Sequence, residues 1–519
     1  MGTDVLIVGA GPTGLMLANQ LARRGVHPLI VDRHSGPAQQ TRAMAVHART
    51  LEIYSSLGIS ERALDLGKRG NGANMWAEGR WMARIPLGDI GKGVSPFPFV
   101  LMLGQDENER ILGDRLRGLG VDVQWNTELT ALRQEREQVT ATLRQPDGTE
   151  RRITAAFVGG CDGSRSAVRE LSGITFPGAP YEHVFFVADT EAAGRMVPDE
   201  LNVYLWRDGF HLFFPMRGTD RWRVIGILPR SLRGRDDLAF DEVIPAVRRE
   251  AGTELAFKSC DWFSTYRIHH RCAVRFRDRR CFLLGDAAHV HSPMGGQGMN
   301  TGLQDAYNLA WKLALVVNGR ADAALLDTYE EERIPVAQRL LGTTDRAFRL
   351  LVSDVWIAGI FRTSLFPRLA AFAMTKEPAR QLAFRTLSQT GISYPRSSLS
   401  QAMPDLPEGA PRAGDRFPWL TLEFGGGPED LFERLDDTRF NLLAIGQRAD
   451  AVETAGYGDL LRIHAIAENP GNAKELARVH MTGPAYYLLR PDGHVGLCGG
   501  RLEAGAVHRY LSGHHIKSR

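Results

Sequence analysis

The stretch GDAAHVHSPMGGQGMN, residues 285–300, combines an acidic residue, a proline and several glycines just before a helix. It follows CFLL (281–284), a short apolar run typical of a buried parallel strand. The next residues, TGLQDAYNLAWKLALVV, have the apolar spacing of a helix. Asp286 therefore stands at the carboxyl end of a strand, where open α/β sheets bind ligands. We expect a ligand contact there, and the alternative is a turn or N-cap aspartate.

A second motif lies at the N-terminus. A strand predicted at residues 4–8 (DVLIV) is followed by GAGPTG and then by a predicted helix that ends near Gly25. The glycines with GxGxxG spacing are Gly9, Gly11 and Gly14. A second strand, HPLIVDR, ends in Asp32 at the distance from the glycines that a dinucleotide-binding unit requires. The glycine turn and helix N-terminus suit a pyrophosphate, and Asp32 suits a ribose. This motif alone does not distinguish NAD from FAD.

A third motif, AAFVGGCDGSRSAVRELSGI (155–174), again predicts a strand, a turn at Asp162–Gly163 and a helix. One NAD molecule would occupy only the first half of such a domain. Three strand ends with ligand-binding character, spread over almost 290 residues, therefore favour one extended ligand.

GAGPTG, CDGSRSAVR and GDAAHVHSPMGGQGMN together resemble the three motifs of the class A flavoprotein aromatic hydroxylases. These are FAD-dependent monooxygenases related to p-hydroxybenzoate hydroxylase and phenol hydroxylase. The resemblance covers essentially the whole chain and is strongest to polyketide and phenylpropionate hydroxylases with a third domain. It implies an α/β fold with a Rossmann-like FAD-binding domain, an inserted β-sheet substrate domain and a thioredoxin-like C-terminal domain.

The resemblance also implies roles for individual residues. Those it places at FAD are Gly9, Gly11, Gly14, Asp32, Arg33, Arg42, Gln105, Asp162, Gly163, Gly285, Asp286, Gly298, Met299 and Asn300. Pro293 is expected to stiffen the loop, while Gly295 and Gly296 let main-chain N–H groups approach the flavin ring and stabilise its negative charge when reduced. For Arg33 the alternative is an ordinary surface charge.

The implied reaction uses NADPH or NADH as a transient electron donor and O2 as co-substrate. It hydroxylates a phenolic or polycyclic aromatic compound through a flavin C4a-hydroperoxide. Arg165 and Arg169 are candidates for docking the nicotinamide donor. Baeyer–Villiger insertion, inactivation of an aromatic antibiotic, a flavin-binding protein without turnover and a plain NAD dehydrogenase remain as alternatives.

The region LNVYLWRDGFHLFFPM predicts a β-hairpin with Asp208–Gly209 as its two-residue turn. That register pairs Trp206 with His211 and Tyr204 with Phe213, on a face predicted to line an aromatic pocket. Met294 is a further candidate for the pocket, and His211 is a candidate base for a phenol. The alternatives are half-buried sheet residues and a structural or surface histidine.

The chain is expected to divide into three domains. The FAD-binding domain comprises residues 1–175 and 265–385, the substrate-binding sheet 176–264, and the thioredoxin-like domain 400–519. Residues 385–415 are rich in Ser, Pro and Gly and predict a linker. The C-terminal region lacks CxxC, so a structural role is expected rather than thiol chemistry.

Composition excludes several classes of protein. The net charge is +3, no Lys/Arg-rich run occurs, and the apolar stretches are interrupted, so neither a nucleic-acid nor a membrane partner is expected. The odd number of scattered cysteines, five in all, favours a reducing cytoplasm over a disulfide framework, and no metal site is expected. A homodimer is expected on the resemblance alone.

Overall fold

The computed structural model describes residues 2–39, 43–229, 232, 235, 237–292, 294–352, 356–449, 457–503 and 505–518. The strands up to residue 160 are β1 (Gly2–Val8), β2 (Pro28–Val31), β3 (Ala45–Val46), β4 (Lys68–Gly70), β5 (Gly72–Ala77), β6 (Arg80–Pro86), β7 (Val100–Met102), β8 (Val123–Gln124), β9 (Glu128–Gln134), β10 (Val139–Arg144) and β11 (Glu150–Gly160). The later strands are β12 (Gly178–Gly194), β13 (Leu201–Trp206), β14 (Gly209–Pro215), β15 (Arg221–Ile227), β16 (Leu255–Cys272), β17 (Arg277–Asp278), β18 (Cys281–Leu283), β19 (His289–Val290), β20 (Gln401–Ala402), β21 (Thr421–Glu423), β22 (Pro428–Asp430), β23 (Phe440–Ile445), β24 (Leu461–Ile466), β25 (Ala485–Leu489) and β26 (Val495–Gly499). The helices are α1 (Pro12–Ala22), α2 (Ala48–Ser56), α3 (Ser60–Leu66), α4 (Gln105–Arg117), α5 (Ala167–Leu171), α6 (Phe240–Ala251), α7 (Gly298–Val317), α8 (Asp327–Val352), α9 (Trp356–Ile360), α10 (Phe366–Met374), α11 (Glu377–Leu387), α12 (Leu431–Arg434), α13 (Pro470–Arg478) and α14 (Ala506–Gly513).

The first sheet has the strand order β17-β18-β11-β1-β2-β8, and β9 and β10 extend it from β11. β1 pairs in parallel with β2 and β11, and β11 pairs in parallel with β18. Val5, Leu6 and Ile7 of β1 are fully buried, as a strand covered on both faces requires. Because these four strands are parallel, their carboxyl ends lie at one edge of the sheet.

Helix α7 lies in the protein core behind this edge. Its residues from Asn300 to Leu315 are all buried, which is typical of a helix surrounded by protein. Its first turn lies against α1, because a Cβ at Gly302 would stand 2.4 Å from Thr13 Oγ1 and 3.1 Å from Gly285 Cα. The N-termini of α1 and α7 therefore meet beside the end of β18.

The second sheet has the order β19-β16-β12-β15-β14-β13-β5-β6. It includes more of the chain than the predicted substrate domain, residues 176–264. β5 and β6 (72–86), which the sequence division places in the FAD-binding domain, join it through a parallel pair between β5 and β13. The predicted boundary misses this because the pairing joins strands that lie far apart in the sequence.

The hairpin between β13 and β14 exists, but its predicted register is wrong. The turn is Arg207–Asp208, so Tyr204 lies opposite His211 and Trp206 opposite Gly209. Gly209 serves ring packing rather than the turn, since a Cβ there would stand 2.7 Å from Trp206 Cζ2. The shift is two residues, which preserves the faces, and the Trp206 and His211 rings still meet diagonally at 4.1 Å.

The C-terminal region forms a sheet with the order β20-β26-β25-β23-β24. The segment 385–415, predicted as a linker, is packed instead, with Tyr394 and Leu399 buried. Buried ion pairs fasten the C-terminal region to the first sheet's helices. Arg490 contacts Glu332 of α8 at 2.5 Å, and Arg416 contacts Glu52 of α2 at 2.5 Å.

Candidate active site

The three motifs meet at the edge where four parallel strands of the first sheet end. Gly9 follows β1, Asp32 follows β2, Asp162 follows β11, and Gly285 follows β18. These positions are up to 276 residues apart in the sequence, yet the pairing of β1, β2, β11 and β18 places all four strand ends side by side. The arrangement suits a ligand longer than one nucleotide.

The glycine turn at the start of α1 is tightly packed on one side and open on the other. A Cβ at Gly14 would stand 1.9 Å from the carbonyl oxygen of Gly9, so only glycine permits this approach. At Gly11 a Cβ would meet nothing within 4 Å. The N-terminus of α1 therefore offers main-chain N–H groups to open space, which suits a pyrophosphate.

Asp32 is held in a fixed position at the end of β2. Its Oδ2 accepts a hydrogen bond from the Ala10 N–H at 2.7 Å, and its Oδ1 accepts one from the His34 N–H at 2.8 Å. The His34 ring Nδ1 also lies 2.7 Å from Oδ1, so Oδ2 is the atom that retains a lone pair for a ribose hydroxyl. Arg33 follows it and is exposed.

Asp162 has an unsatisfied polar atom directed away from its helix. Its Oδ2 accepts from the Val168 N–H at 3.1 Å, whereas its buried Oδ1 has no hydrogen-bond partner among the described residues. Burial raises the pKa of Asp162, although hydrogen bonds from Ser166 and Val168 oppose the shift. Gly163 next to it is open on its Cβ side. A buried acceptor without a donor is costly, so this position suits a ligand hydroxyl.

Asp286 is the one exposed residue in the otherwise buried run 281–289. It lies in a 3₁₀ turn, Gly285–Ala287, whose first N–H donates to Asp305 Oδ2 at 3.0 Å. Asp305 is buried in α7 and also contacts His289 at 2.7 Å and Arg333 at 2.6 Å. Burial raises the pKa of Asp305, but Arg333 and His289 outweigh it and hold the pKa below its ordinary value. Sequence analysis missed this anchor, although an aspartate inside an apolar helix was a visible signal.

The loop before α7 turns sharply at two glycines. Gly295 and Gly296 have φ values of 72° and 63°, in the left-handed region that favours glycine. Gly295 is exposed, and Gly298 begins α7. Gly298 and Met299 are half-buried, and the main chain of Met294 lies in the same turn. Pro293 and Arg42 fall outside the described residues.

Asn300 holds this turn rather than exposing its side chain. Its Nδ2 donates to the carbonyl oxygens of Ala45 and Gly296, both at 2.8 Å. Its Oδ1 accepts from the His47 N–H at 2.9 Å and the Thr50 hydroxyl at 2.7 Å. All hydrogen bonds of the Asn300 amide are thus made within the protein. Asn300 can affect a cofactor only by fixing the position of the turn.

His47 is a residue of the site that sequence analysis missed. It is buried beside the turn, and its Nε2 contacts the carbonyl oxygen of Gly295 at 2.7 Å. Burial lowers the pKa of His47 to about 4, although this hydrogen bond opposes the shift. The neutral ring therefore donates Nε2–H to Gly295, and its buried Nδ1 has no partner among the described residues.

Gln105 is the first residue of α4. The strand before this helix, β7, pairs with β3, which lies beside the glycine turn. Its N–H donates to Ala43 O at 3.0 Å, and its Nε2 donates to Glu109 Oε1 at 2.9 Å. The side chain keeps its oxygen and one N–H for a ligand.

The residues predicted to line the substrate pocket lie mostly in the core of the second sheet. Tyr204, His211 and Phe213 are fully buried on the side where α6 packs. His211 Nε2 contacts Glu250 of α6 at 3.0 Å, and burial lowers the pKa of His211 although Glu250 opposes the shift. This burial and pairing favour the structural alternative for His211, and a catalytic base there stays a prediction. Trp206 is half-buried at the strand end.

The opposite face of the same hairpin is buried only in part. Leu205 and Phe210 on it are buried, whereas Val203, Leu212 and Phe214 are half-buried. Phe214 and Leu387 both pack against the cluster of Ala45, Val100 and Met102, and Leu387 Cδ1 lies 3.0 Å from where a Cβ of Gly295 would stand. The Phe214 end of this face therefore lies close to the glycine turn.

The described part of the chain has neither a metal-binding cluster nor a membrane-spanning helix. No cluster of three His, Cys, Asp or Glu side chains there has the arrangement to hold a metal ion. Among the same residues, no helix has the length and apolar character needed to cross a bilayer.

Comparison with known proteins gives two family matches. The family described as FAD binding domain matches residues 2–344, and the family described as aromatic-ring hydroxylase, C-terminal, matches residues 410–512. The first match contains all four strand ends of the site.

Similar proteins match along most of their length. The chain is 34% identical to the 6-methylpretetramide 4-monooxygenase of Streptomyces rimosus, covering 99% of this chain and 94% of that protein. It is 34% identical to the pentachlorophenol 4-monooxygenase of Sphingobium chlorophenolicum, covering 88% and 83%. Among solved structures, the anhydrotetracycline hydroxylase of Streptomyces rimosus superposes with a TM-score of 0.79 at 29% identity over all of both chains. Aklavinone-11 hydroxylase, solved with FAD and aklavinone, gives a TM-score of 0.81 at 26% identity over 99% of both chains.

Proposed function

We infer that this chain, which belongs to the family of FAD-dependent aromatic-ring hydroxylases, adds one oxygen atom to a phenolic or polycyclic aromatic substrate. Electrons come from NADH or NADPH, and O2 is the co-substrate. The observation that carries the choice of substrate is the half-buried apolar row of Val203, Leu212 and Phe214, whose Phe214 end lies close to the turn at Gly295 and Gly296.

The described residues fit FAD along its whole length. We propose that the open N-terminus of α1 at Gly11 holds the pyrophosphate and that Asp32 holds the adenosine ribose. Asp162 and Asp286 hold hydroxyl groups nearer the flavin, and the turn at Gly295 presents main-chain N–H groups to the ring. Bound FAD supplies electron transfer from the nicotinamide and activation of O2.

The substrate compartment works by shape and by exclusion of water. Its walls at Val203, Leu212 and Phe214 offer no hydrogen bonds, so an aromatic ring displaces water there and is oriented by packing. His47 lies behind the turn and is a positioning residue, because it acts on the main chain of Gly295.

Truncation of Phe214 to alanine is expected to loosen the substrate without loss of FAD. We expect NADPH oxidation to continue while hydroxylated product per NADPH falls about tenfold, because the ring is no longer held at the turn. Phe424→Ala is the matched control, since it removes a half-buried phenylalanine from the C-terminal region. Product yield is measured by mass spectrometry against NADPH consumed, and equal yields in Phe214→Ala and the control would remove Phe214 from the compartment.

A row of cations on β16 suits the phosphates of the nicotinamide donor. Arg267, His269 and Arg271 alternate on β16 and so share one face. Burial and the positive charges of Arg271, His270 and Arg267 lower the pKa of His269. Buried Nε of Arg271 has no hydrogen-bond partner among the described residues. Arg165, three residues after Asp162, is exposed. Arg169 already donates hydrogen bonds to Ala287 O and Ser164 O.

Charge reversal at Arg267 and Arg271 together is expected to raise KM for NADPH about tenfold, since charge-assisted contacts to phosphate are lost. FAD affinity should be unchanged. The control is Arg133→Glu, a reversal at an exposed arginine on β9. Steady-state kinetics at fixed O2 give the comparison, and an unchanged KM would exclude this row as the docking site.

The predicted domains stay a proposal, with β5 and β6 moved to the substrate sheet. FAD binding is proposed for the rest of residues 1–175 and for 265–385, and a thioredoxin-like fold for 400–519. The five cysteines are free, which suits the reducing cytoplasm, where we propose that the enzyme acts. A homodimer likewise stays a prediction.

The proposed function is tested by adding phenols, naphthoquinols and polycyclic aromatic compounds to the FAD-loaded protein with NADPH under air. A compound that accelerates NADPH oxidation and gains one oxygen atom supports it. A ring-expanded lactone would instead indicate Baeyer–Villiger insertion, and anaerobic protein whose flavin NADPH does not reduce would indicate a flavin binder.

A further inference from the structure

Exposed apolar side chains are concentrated in one short part of the chain. Nine large hydrophobic residues are exposed among the described residues, and six of them lie between positions 356 and 382. Those six are Trp356, Ile360, Leu365, Leu369, Phe372 and Leu382. Phe372 is 63% exposed and Trp356 58%, although both are types that normally lie inside a protein.

Five of them form one continuous stripe, which we call the apolar strip: Trp356, Ile360, Leu365, Leu369 and Phe372. Their spacings are four, five, four and three residues. Spacings of three and four keep side chains on one face of an α-helix, whereas five does not. The single spacing of five coincides with a π-helical turn, Phe361–Leu365, whose wider i→i+5 pattern accommodates the extra residue. The backbone irregularity thus keeps the strip on one face.

The charge along the strip is positive. Residues 356–376 contain no aspartate or glutamate, while Arg368 and Lys376 are exposed beside the strip, and the first carboxylate after it is the exposed Glu377. Lys376 Nζ lies 5.2 Å from the centre of the Phe372 ring. An exposed strip of aromatic and aliphatic residues with cations along its length has the composition of a helix that lies in the interface of an anionic bilayer.

The inner side of the same segment covers the substrate compartment. Phe366 packs with Met75, Leu205 and Ile268 of the second sheet. Nη1 of Arg362 donates to Arg207 O in the hairpin turn at 2.7 Å. One segment therefore has the sheet on one side and the apolar strip on the other.

We propose that the apolar strip docks this enzyme on an anionic lipid bilayer, with the mouth of the substrate compartment held close to the membrane. A polycyclic aromatic substrate that partitions into lipid then has a short path to the site. The charge favours lipid over a second copy of the chain, because a twofold contact through this strip brings Arg368 and Lys376 of both copies together. The predicted absence of a membrane partner rested on the lack of a spanning segment, and a peripheral strip needs none.

The test is flotation of the FAD-loaded full chain with vesicles, which requires no turnover and so is independent of the proposed reaction. Vesicles of phosphatidylcholine alone are compared with an equimolar mixture of phosphatidylcholine and phosphatidylglycerol. We expect binding to the anionic vesicles, weaker binding at high salt, and little binding to the neutral ones.

Two double variants separate the contributions of the strip. Leu369→Gln/Phe372→Gln and Arg368→Glu/Lys376→Glu are each expected to lower the bound fraction about tenfold. All four side chains are exposed, so FAD absorbance and the unfolding midpoint should stay at wild-type values, which shows that each variant is folded. The matched control is Val274→Gln/Arg275→Glu, an exposed valine and arginine outside the strip, which should float like wild type.

Wild-type protein that leaves anionic vesicles unbound would overturn the proposal, as would strip variants that float like the control. A wild-type dimer that becomes monomeric in Leu369→Gln/Phe372→Gln, without any vesicle binding, would assign the strip to self-association instead.

Discussion

Gly14→Ala is expected to give a folded protein that has lost most of its affinity for FAD. The new methyl group would stand 1.9 Å from Gly9 O and 3.2 Å from Cys161 Cβ, so α1 must move away from the glycine turn. Overpacking of this kind costs about 3 kcal/mol, and because the strain falls on the turn proposed to hold the pyrophosphate, we expect the Kd for FAD to rise about 100-fold. Titration of the apoprotein with FAD, followed by flavin fluorescence, measures this.

Gly113→Ala is the matched control, because Gly113 also lies inside a helix, α4, but a Cβ there meets nothing within 4 Å. It should bind FAD with the wild-type Kd and unfold at a slightly higher temperature, as expected for alanine in place of a helical glycine. If Gly14→Ala binds FAD as tightly as this control, the turn before α1 is not the pyrophosphate site.

His47 is expected to make the protein sensitive to acid. In the folded protein its pKa is lowered to about 4, whereas in the unfolded chain it stays near 6.5. Between these values the unfolded chain binds a proton that the folded protein does not, so stability falls as the pH falls from 6.5 to 4 and is unaffected above 6.5. The difference in pKa corresponds to about 3 kcal/mol.

His47→Gln removes this titration while keeping an N–H donor for Gly295 O. Urea unfolding at pH 7 and pH 4 should therefore show a smaller loss of stability in His47→Gln than in wild type, by about 3 kcal/mol. His47→Leu provides the contrast at pH 7, because it leaves Gly295 O without its donor. We expect kcat to fall about tenfold in His47→Leu with KM for NADPH unchanged, and to be largely rescued in His47→Gln. Equal pH dependence in wild type and His47→Gln would contradict the buried neutral histidine.

The strand ends of the cofactor site were predictable because each motif is local. GAGPTG, CDGSRSAVR and GDAAH each place a polar residue or glycine directly after a short apolar strand, and parallel pairing then brings the ends together. His47 was not predictable in this way. Its role depends on Gly295, 248 residues away, and a lone histidine after a two-residue strand carries no local signal.

The hairpin face predicted to line the substrate pocket is instead packed against α6, for a related reason. Alternation identified the two faces of β13 and β14 correctly, but alternation does not say which face is covered. That choice is made by α6, whose Glu250 reaches His211 and whose apolar side buries Tyr204 and Phe213. The apolar row of Val203, Leu212 and Phe214 stays half-buried, and its Phe214 end lies close to the glycine turn.

The proposed hydroxylation is tested most directly by identifying the source of the oxygen atom in the product. FAD-loaded protein, NADPH and a responsive aromatic compound are incubated under isotopically heavy O2 in ordinary water, and the product is analysed by mass spectrometry. We predict that each product molecule carries one heavy oxygen atom on an aromatic carbon. We also predict that Phe214→Ala forms less labelled product per NADPH consumed. Product oxygen that comes from water, or NADPH oxidation that yields only hydrogen peroxide with every compound tested, would contradict it.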